Sequence, residues 1–163
     1  MNVTVLAYGA GNTASVQFAL ERLGATVRLT DDPVAVAEAE RLILPGVGAA
    51  GYAMARLTAL GLVEPIRAFS RPLLGICLGQ QLMFETSEEG EPVPLLGLIP
   101  GAVRRLEPGP DLTVPHMGWS RLTAVRSDPL LGGVEDGAYV YFVHGFVCPD
   151  GPATLARADY GGP

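Results

Sequence analysis

Cys77 is the side chain whose type and setting best suit covalent chemistry. It lies between Gly75 and Gly79, after an apolar run at residues 73–76 and before a helical pattern that extends to residue 84. A strand, a sharp turn that exposes the reactive residue, and a helix together form a nucleophile elbow, where glycines avoid steric clashes. The unpaired amides at a helix N-terminus favour a thiolate. The alternative is a buried cysteine in the core, but the flanking strand and helix patterns favour a nucleophile.

A second glycine turn, residues 45–48 (Pro-Gly-Val-Gly), follows the preceding predicted strand. The carboxyl ends of neighbouring parallel strands share one crevice in a doubly wound sheet. The backbone N–H groups of the Val47-Gly48 turn and of Leu78 are therefore candidates for an oxyanion hole that serves an acyl carbon attacked by Cys77. An ordinary loop fits the turn equally well, and the pattern alone does not separate the two interpretations.

The first predicted turn offers a rival chemistry. Residues 9–14 (Gly-Ala-Gly-Asn-Thr-Ala) fit the Gly-x-Gly-x-x-Gly/Ala pattern of dinucleotide-binding folds, and Asp31 and Asp32 lie near the position of a ribose-binding acid. The alternative is a tight strand-to-helix turn with no ligand, because the first turn of an α/β fold commonly needs glycine. A nucleotide-binding domain stays open on this motif, although it gives no reason for an elbow at Cys77.

The composition narrows the class of protein. With 163 residues, 48% of them hydrophobic and 17% charged, the chain can bury a sizeable core and is not disordered. A net charge of -6 argues against nucleic acid as a partner, since no basic patch is available to neutralise phosphates. The basic residues are all arginine, which excludes a lysine base. The two cysteines have no metal-ligand or disulfide spacing, and no apolar run spans a membrane, so we expect a cytoplasmic protein with neither metal nor cofactor.

The elements that must position these residues alternate between strand and helix in the first half of the chain. Val16, Leu20 and Leu23 follow one another at helical spacing, Gly24 ends that helix, and Asp32 before a proline predicts the N-cap of the next one. The predicted strands are residues 3–7, 26–29, 41–44 and 72–76, with a further helix at residues 51–60. This order predicts an α/β fold with a mostly parallel, doubly wound sheet and helices on both faces.

The second half of the chain changes to short strand patterns. The acidic residues 85–92 predict a solvated surface loop. Beyond that loop, Pro, Gly and Asp turns separate strand-like runs at residues 99–106, 113–115, 121–125, 138–143 and 153–158. These runs predict a mainly antiparallel C-terminal extension built from hairpins. We see no domain boundary, so residues 1–163 are expected to form a single domain.

Four stretches together resemble a known family. Residues 75–81 (Gly-Ile-Cys-Leu-Gly-Gln-Gln) resemble the nucleophile signature of class I, triad-type glutamine amidotransferases. Residues 8–12 (Tyr-Gly-Ala-Gly-Asn), 115–119 (Pro-His-Met-Gly-Trp) and 141–144 (Tyr-Phe-Val-His) narrow the resemblance to the glutaminase subunits of imidazole glycerol phosphate synthase, in histidine biosynthesis. The matches spread over nearly the whole chain and imply a class I glutamine amidotransferase-like fold.

The resemblance implies a glutaminase that hydrolyses glutamine through a thioester at Cys77 and passes ammonia to a synthase (cyclase) subunit, its partner in a heterodimer. The roles it implies are an oxyanion hole at Val47, Gly48 and Leu78, glutamine binding at Gln81, His144, Gly145 and Phe146, and a partner interface at Asn12 and Trp119. Gln81 follows Cys77 by one helical turn, so both are expected on the same helix face. For Trp119, a core aromatic is an equally good interpretation.

The sequence departs from this family at the catalytic base. The family takes its general base and orienting acid from a late Phe-His-Pro-Glu motif, which this sequence does not contain. His144 is not that histidine, because Phe146 stands where the motif has Glu, and His116 is expected to be structural. Either the natural protein continues past Pro163, as an otherwise unpaired sheet edge favours, or the chain ends there as an inactive, truncated subunit. As given, the chain is expected to be inactive because Cys77 lacks a histidine partner.

Three further departures affect the implied contacts to glutamine. Gly145 and Phe146 stand where the family usually has a hydroxyl residue and a tyrosine, and Ser120 stands where asparagine is usual. The first two changes remove polar side-chain groups next to the implied substrate. Contacts made by the backbone do not depend on those side chains, so they are expected to remain.

Overall fold

The computed structural model of the chain describes residues 1–109 and 112–161. The chain forms two compact units, one covering Met1–Val103 and a second that begins at Arg104. A single domain for the whole chain stays a prediction. Among the helices of the described ranges, none has both the length and the apolar character needed to cross a membrane.

The first unit is built on a parallel sheet. Its strands are β1 (Asn2–Leu6), β2 (Thr26–Thr30), β3 (Leu42–Gly46) and β4 (Leu73–Cys77), in the order β2-β1-β3-β4. β3 pairs with β4 along its whole length, so that Gly46 lies opposite Cys77. The predicted α/β fold with a mostly parallel sheet is confirmed, and the predicted strands are present with ends shifted by one or two residues.

Helices connect these strands, and the first two begin at side-chain caps. The helices are α1 (Thr13–Arg22), α2 (Pro33–Glu38), α3 (Ala50–Ala59), α4 (Val63–Arg67) and α5 (Leu78–Gln81). Asn12 accepts the Ser15 amide at the start of α1, and Gly24 (φ +77°) follows its end. Asp32 accepts the Val34 amide at 3.0 Å at the start of α2, as the Asp-Pro pair predicts. α4 is an element that the sequence pattern did not predict.

The helix after Cys77 is shorter than the sequence predicts. The helix predicted to residue 84 ends at Gln81. The carbonyl groups of residues 82–85 bond to a later segment of the chain instead of continuing the helix. Leu82, Met83, Phe84 and Glu85 accept the amides of Leu96, Leu98, Gly97 and Leu95, respectively. A helix of one turn aligns few peptide dipoles, so it contributes less positive potential at Cys77 than a long helix would.

The core of the first unit lies against the middle of the parallel sheet. Every residue of β3 is buried, as expected for a central parallel strand. One buried cluster consists of Val3, Val5, Ala25 and Ile43, with Val16, Leu20 and Val27 packed against it. Val16 and Leu20, two of the three residues whose spacing predicted α1, do pack on this cluster. The third, Leu23, is exposed and lies just beyond the end of the helix.

The acidic segment at residues 85–92 is not simply a solvated loop. Glu89 accepts the Ala50 amide at 2.6 Å at the start of α3, and Glu85 accepts the Gly101 amide at 2.8 Å. A carboxylate at a helix N-terminus satisfies an otherwise unpaired donor and opposes the positive end of the dipole. Two of the acidic side chains therefore have structural partners that composition alone did not reveal.

Short strands complete the first unit and make up the second. They are β5 (Thr86–Ser87), β6 (Val93–Pro94), β7 (Ala102–Arg105), β8 (His116–Ala124), β9 (Tyr139–His144), β10 (Phe146–Val147) and β11 (Ala156–Ala158), with a 3-10 helix at Pro129–Leu131. In the first unit β5 pairs antiparallel with β6 and parallel with the start of β7. In the second, β8 pairs antiparallel with β9 and β11, and β10 pairs antiparallel with the end of β7. The predicted antiparallel extension is confirmed.

One predicted strand of the second unit is wrong. Residues 113–115 form a bend that contains the cis peptide bond between Val114 and Pro115. Pro115 has no amide hydrogen to donate to a strand ladder, and pairing begins at His116. The runs predicted at residues 99–106 and 153–158 narrow to β7 and β11, because Pro and Gly flank the residues that pair.

Candidate active site

Cys77 ends β4 and immediately precedes α5, the position expected of a nucleophile elbow. Its backbone has φ 54° and ψ -117°, and among the described residues it alone combines a side chain with a positive φ. Such a conformation costs on the order of 1–3 kcal/mol and is found mainly at functional sites. The side chain is exposed and forms no disulfide. The alternative of a buried core cysteine is therefore wrong.

Glycines around Cys77 let two strands and a helix approach more closely than any side chain permits. A Cβ on Gly75 would lie 2.6 Å from the Gln80 amide nitrogen, and one on Gly79 would collide with the Leu44 carbonyl oxygen. A Cβ on Gly46, in the neighbouring strand, would lie 2.5 Å from the Gly79 amide nitrogen. The need for glycine at the elbow is thus confirmed, and it extends to Gly46.

The glycine turn that begins in β3 lies next to the elbow. Gly46 is the register partner of Cys77, and a Cβ on Gly46 would lie 2.8 Å from the Leu78 Cβ. Val47 and Gly48 follow directly, at the carboxyl end of the strand. The structure places this turn beside the elbow at the carboxyl ends of β3 and β4, where a shared crevice is expected. The oxyanion-hole roles of Val47, Gly48 and Leu78 stay a prediction.

The loop after β1 holds this turn in place. Tyr8 is buried and donates its phenol hydrogen to the Pro45 carbonyl at 2.8 Å; burial raises the pKa of Tyr8, which keeps the donor protonated. The Val47 amide donates to the Ala10 carbonyl at 2.9 Å. Because the Val47 amide is already bonded, the Gly48 amide is the expected oxyanion donor of this turn. Gly48 has a φ of +89°, a conformation that glycine adopts without strain.

The same loop bears on the rival nucleotide-binding interpretation. A Cβ on Gly11 would lie 3.0 Å from the Pro45 ring, and one on Gly9 would lie 3.4 Å from the Arg56 guanidinium. Asp32, the acid considered for a ribose, is the N-cap of α2. Gly11 is favoured by the close approach of the Pro45 ring and Gly9 by its φ of +90°, so the motif is explained without a nucleotide.

The predicted glutamine-binding residues occur in both units. In the first, Gln81 ends α5, one turn after Cys77, and is half-buried. In the second, His144 ends β9 and its Nδ1 donates to the Phe146 carbonyl at 2.8 Å, across Gly145. The His144 side chain therefore stabilises the bend between β9 and β10 with a hydrogen bond to the backbone.

His116 and Ser120 form a polar cluster with His144. The sequence analysis did not assign a site role to either of them. His116 is 3% exposed, and its two ring nitrogens lie 3.3 Å from His144 Nε2 and 3.0 Å from Ser120 Oγ. Burial, and then the charge of His144, lowers the pKa of His116. The spacing of His116 and Ser120 puts both on one strand face, which is the available sequence signal. Their meeting with His144 depends on the register of two strands, which the sequence does not state.

Asn12 and Trp119, the residues predicted for a partner interface, are both exposed. The Asn12 side chain also caps α1. Trp119 is 68% exposed and meets Tyr141 edge-on, with ring centroids 5.5 Å apart, so the core interpretation is wrong. Exposed apolar side chains share this face of the hairpin and are named here the β8–β9 apolar stripe: Met117, Trp119, Tyr139, Tyr141 and Val143.

Other features of the described residues lie away from the elbow. No group of three or more His, Cys, Asp or Glu within residues 1–109 and 112–161 has an arrangement that could hold a metal ion. One surface cavity lies along the amino ends of β1 and β2, opposite to the carboxyl ends that flank Cys77, and another lies beside the 3-10 helix. Neither cavity is lined by a cysteine or a histidine, so the elbow is the candidate site.

The sequence matches a protein-family model and close relatives over nearly its whole length. The model described as "Glutamine amidotransferase class-I" matches residues 4–158. The chain is 52% identical over 160 residues to the imidazole glycerol phosphate synthase subunit HisH of Xylella fastidiosa (strain Temecula1 / ATCC 700964), covering 98% of this chain and 80% of that protein. It is 50% identical over 161 residues to the subunit of the same name from Xanthomonas axonopodis pv. citri (strain 306), covering 99% and 80%.

Solved structures share the fold at lower identity. A crystal structure of glutamine amidotransferase matches with a TM-score of 0.73 and 22% identity, over 95% of this chain and 79% of that one. The structure of PurLQS from Thermotoga maritima matches with a TM-score of 0.62 and 20% identity, over 99% and 76%. With the family model matched over residues 4–158 and a strained cysteine at the strand-to-helix turn, the chain belongs to the class I glutamine amidotransferase family.

Proposed function

We propose that this chain is the glutaminase subunit of imidazole glycerol phosphate synthase, which acts in histidine biosynthesis. The observation that carries the proposal is the elbow, where Cys77 is exposed with φ 54° beside a glycine turn of the neighbouring strand. The relatives named HisH support the choice of synthase within the family, because they align with nearly the whole chain at 50–52% identity.

The proposed chemistry begins with attack of Cys77 Sγ on the side-chain amide carbon of glutamine. The carbonyl oxygen becomes negatively charged, and the amides of Gly48 and Leu78 are the proposed donors to it. The C–N bond then breaks, ammonia leaves after taking up a proton, and a glutamyl thioester remains on the enzyme. Water adds to the thioester, the C–S bond breaks, and glutamate and the thiol are formed.

The proton transfers of this reaction need a base. The family takes it from a Phe-His-Pro-Glu motif that residues 1–163 do not contain. Cys77 in this chain alone is therefore expected to react slowly, because a thiol is a weak nucleophile without an adjacent base. Gln81 and the backbone of residues 144–146 are proposed to bind the glutamine. The half-burial of Gln81 one turn after Cys77 supports its part of this assignment.

A diazoketone analogue of glutamine tests the nucleophile directly. We expect covalent modification at Cys77 and none at Cys148, mapped by mass spectrometry, with protection by excess glutamine. Cys148→Ser is the matched control and is expected to label like the wild type, whereas Cys77→Ser is expected not to label. Modification confined to Cys148, or measurable glutamine hydrolysis by a Cys77→Ala protein, contradicts the proposal.

The β8–β9 apolar stripe and Asn12 are proposed to contact the synthase subunit. Five exposed apolar side chains on one hairpin face form a patch rather than scattered residues, and aromatic residues and Met are enriched in interfaces. Trp119→Ala is expected to weaken association with the synthase subunit at least about 10-fold, as truncation of an interface anchor does. Leu130→Ala removes a similarly exposed apolar side chain outside the stripe and is expected to leave the affinity unchanged. Equal affinities of both variants and the wild type contradict the assignment.

A further inference from the structure

A series of hydrogen-bonded side chains runs through the second unit and ends at the bend after β9. Ser120 Oγ lies 3.0 Å from His116 Nε2, and His116 Nδ1 lies 3.3 Å from His144 Nε2. His144 Nδ1 in turn lies 2.8 Å from the Phe146 carbonyl oxygen. We name this series the histidine relay; it consists of Ser120, His116, His144 and the Phe146 carbonyl.

The polarity of the relay follows from its last member. The Phe146 carbonyl can only accept, so His144 Nδ1 carries a hydrogen and, in the neutral ring, His144 Nε2 accepts. His116 Nδ1 must then donate, and His116 Nε2 accepts the hydrogen of the Ser120 hydroxyl. The His116 ring is buried and stacks on Tyr160 with centroids 3.8 Å apart, which fixes its plane. In their neutral forms both rings are therefore Nδ1–H tautomers, and each donates from Nδ1 towards the Phe146 end of the relay.

The relay reaches the backbone where β9 gives way to β10. Gly145 lies between the two strands, and the bond from His144 to Phe146 spans it. The Gly145 carbonyl accepts the Leu106 amide at 3.0 Å, and Phe146 pairs with Arg105. The bend is thus fixed by β7 through backbone bonds and by β8 through the relay.

We propose that Ser120 and His116 are positioning residues that act through His144 to hold the Gly145–Phe146 backbone in the shape that binds glutamine. This inference rests on the proposed function, in which glutamine contacts that backbone. An asparagine amide at position 120 can also donate to a ring nitrogen, so Ser120→Asn keeps a donor for His116. Because Gly145 offers no side-chain group, the shape of the backbone has to provide the contacts.

The tautomers are the first test, and they need no catalytic activity. The sequence has only two histidines, so long-range 1H–15N NMR resolves both rings, and a His116→Phe variant assigns them. At about pH 8, well above the ordinary pKa of histidine, both rings are expected as Nδ1–H tautomers. An Nε2–H tautomer at either ring reverses the polarity and overturns the relay.

Glutamine binding by the full chain is the second test. Ser120→Ala is expected to raise the dissociation constant about 5-fold by calorimetry, the equivalent of about 1 kcal/mol for one hydrogen bond. His116→Phe keeps a stacking ring but removes two bonds, so a larger increase is expected. Ser120→Asn keeps a hydrogen-bond donor at this position and is expected to bind glutamine with wild-type affinity. Thr123→Ala, which removes an exposed hydroxyl from the same strand, is the matched control and is expected to bind like the wild type.

A third measurement separates positioning from general loss of structure. Iodoacetamide makes no glutamine contacts, so the rate at which it alkylates Cys77 is expected to stay the same in Ser120→Ala. If the wild type, Ser120→Ala and His116→Phe all bind glutamine with the same affinity, the positioning role is overturned, even where the melting temperatures of the variants fall. That outcome leaves the proposed function intact. A wild type that neither binds glutamine nor is labelled by the diazoketone overturns the proposed function, and this inference with it.

Discussion

The two units fix their candidate site residues by different means. In the first, backbone packing does so: Gly46, Gly75 and Gly79 let strands and helix meet with no room for a methyl group, and Cys77 is held at a positive φ. In the second, side-chain hydrogen bonds of the histidine relay fix the bend at Gly145. Close-packed backbone is expected to fail steeply when one carbon is added, whereas a relay loses one hydrogen bond at a time.

Gly79→Ala is expected to have the largest effect. Its Cβ would collide with the Leu44 carbonyl oxygen, a backbone atom that cannot move without shifting β3. We expect a loss of about 3 kcal/mol in the free energy of unfolding, measured by urea denaturation. Gly51→Ala is the control: its Cβ meets only Val93 Cγ2 at 3.7 Å, and alanine should stabilise α3 by about 0.5–1 kcal/mol. Wild-type stability of Gly79→Ala would mean that the elbow relaxes easily, and the contrast between the units would fail.

Tyr8→Phe is expected to have the next largest effect. It removes the buried donor to the Pro45 carbonyl and leaves that oxygen without its partner, at a cost of about 1–3 kcal/mol in the free energy of unfolding. The loosened turn should also slow labelling of Cys77 by the glutamine analogue. Tyr52→Phe changes an exposed tyrosine of α3 in the same unit and should alter neither quantity. If the two variants behave alike, Tyr8 does not support the turn.

The first unit was largely predictable because its signals are local. Asp32 before a proline marks the start of α2, Gly24 marks the end of α1, and the apolar runs give the parallel strands. The short α5 was not predictable, since the carbonyls of residues 82–85 bond to residues 95–99, which lie apart in sequence. The engagement of the Val47 amide by Ala10 is hidden for the same reason.

The second unit shows how register limits sequence reasoning. His116 and His144 were each recognised within a motif, but only the pairing of β8 with β9 brings their rings together. A one-residue shift of that pairing would place them on opposite faces, and no local pattern excludes it. The sequence left core and surface positions equally open for Trp119. The same register places it in the exposed β8–β9 apolar stripe.

A pH titration of stability is expected to report on His116 of the relay. Burial and the neighbouring charge of His144 lower the pKa of His116 from its ordinary value of 6.5. The unfolded chain therefore takes up a proton near pH 6.5 that the folded chain takes up only at lower pH. The contribution of His116 to stability should be constant above that pH, and stability should fall as the pH drops towards the folded pKa of His116. Denaturation of His116→Phe should lose this dependence, whereas the same fall in both proteins would assign it to other groups.

Gly145→Ser is expected to have the smallest effect on stability. A Cβ there meets only Val114 Cγ1 at 3.9 Å, and Gly145 is not among the glycines with positive φ. The free energy of unfolding should therefore change by less than about 0.5 kcal/mol. The new hydroxyl adds a polar group beside the backbone that is proposed to bind glutamine, so the dissociation constant of glutamine should fall by about 5-fold, as for one added hydrogen bond.

The control for this substitution is Gly151→Ser, in the same unit. A Cβ at Gly151 meets nothing within 4 Å, and its φ is not positive either, so the variant adds a hydroxyl at equal steric cost. Glutamine affinity should stay at the wild-type value. A gain in both variants would point to a non-specific effect, and a loss of stability confined to Gly145→Ser would mean that the bend depends on close packing, as the elbow does. If Gly145→Ser binds glutamine more tightly at unchanged stability and Gly151→Ser does not, the result fits a bend that has free space beside it. The shape of such a bend is set by side-chain hydrogen bonds rather than by close packing.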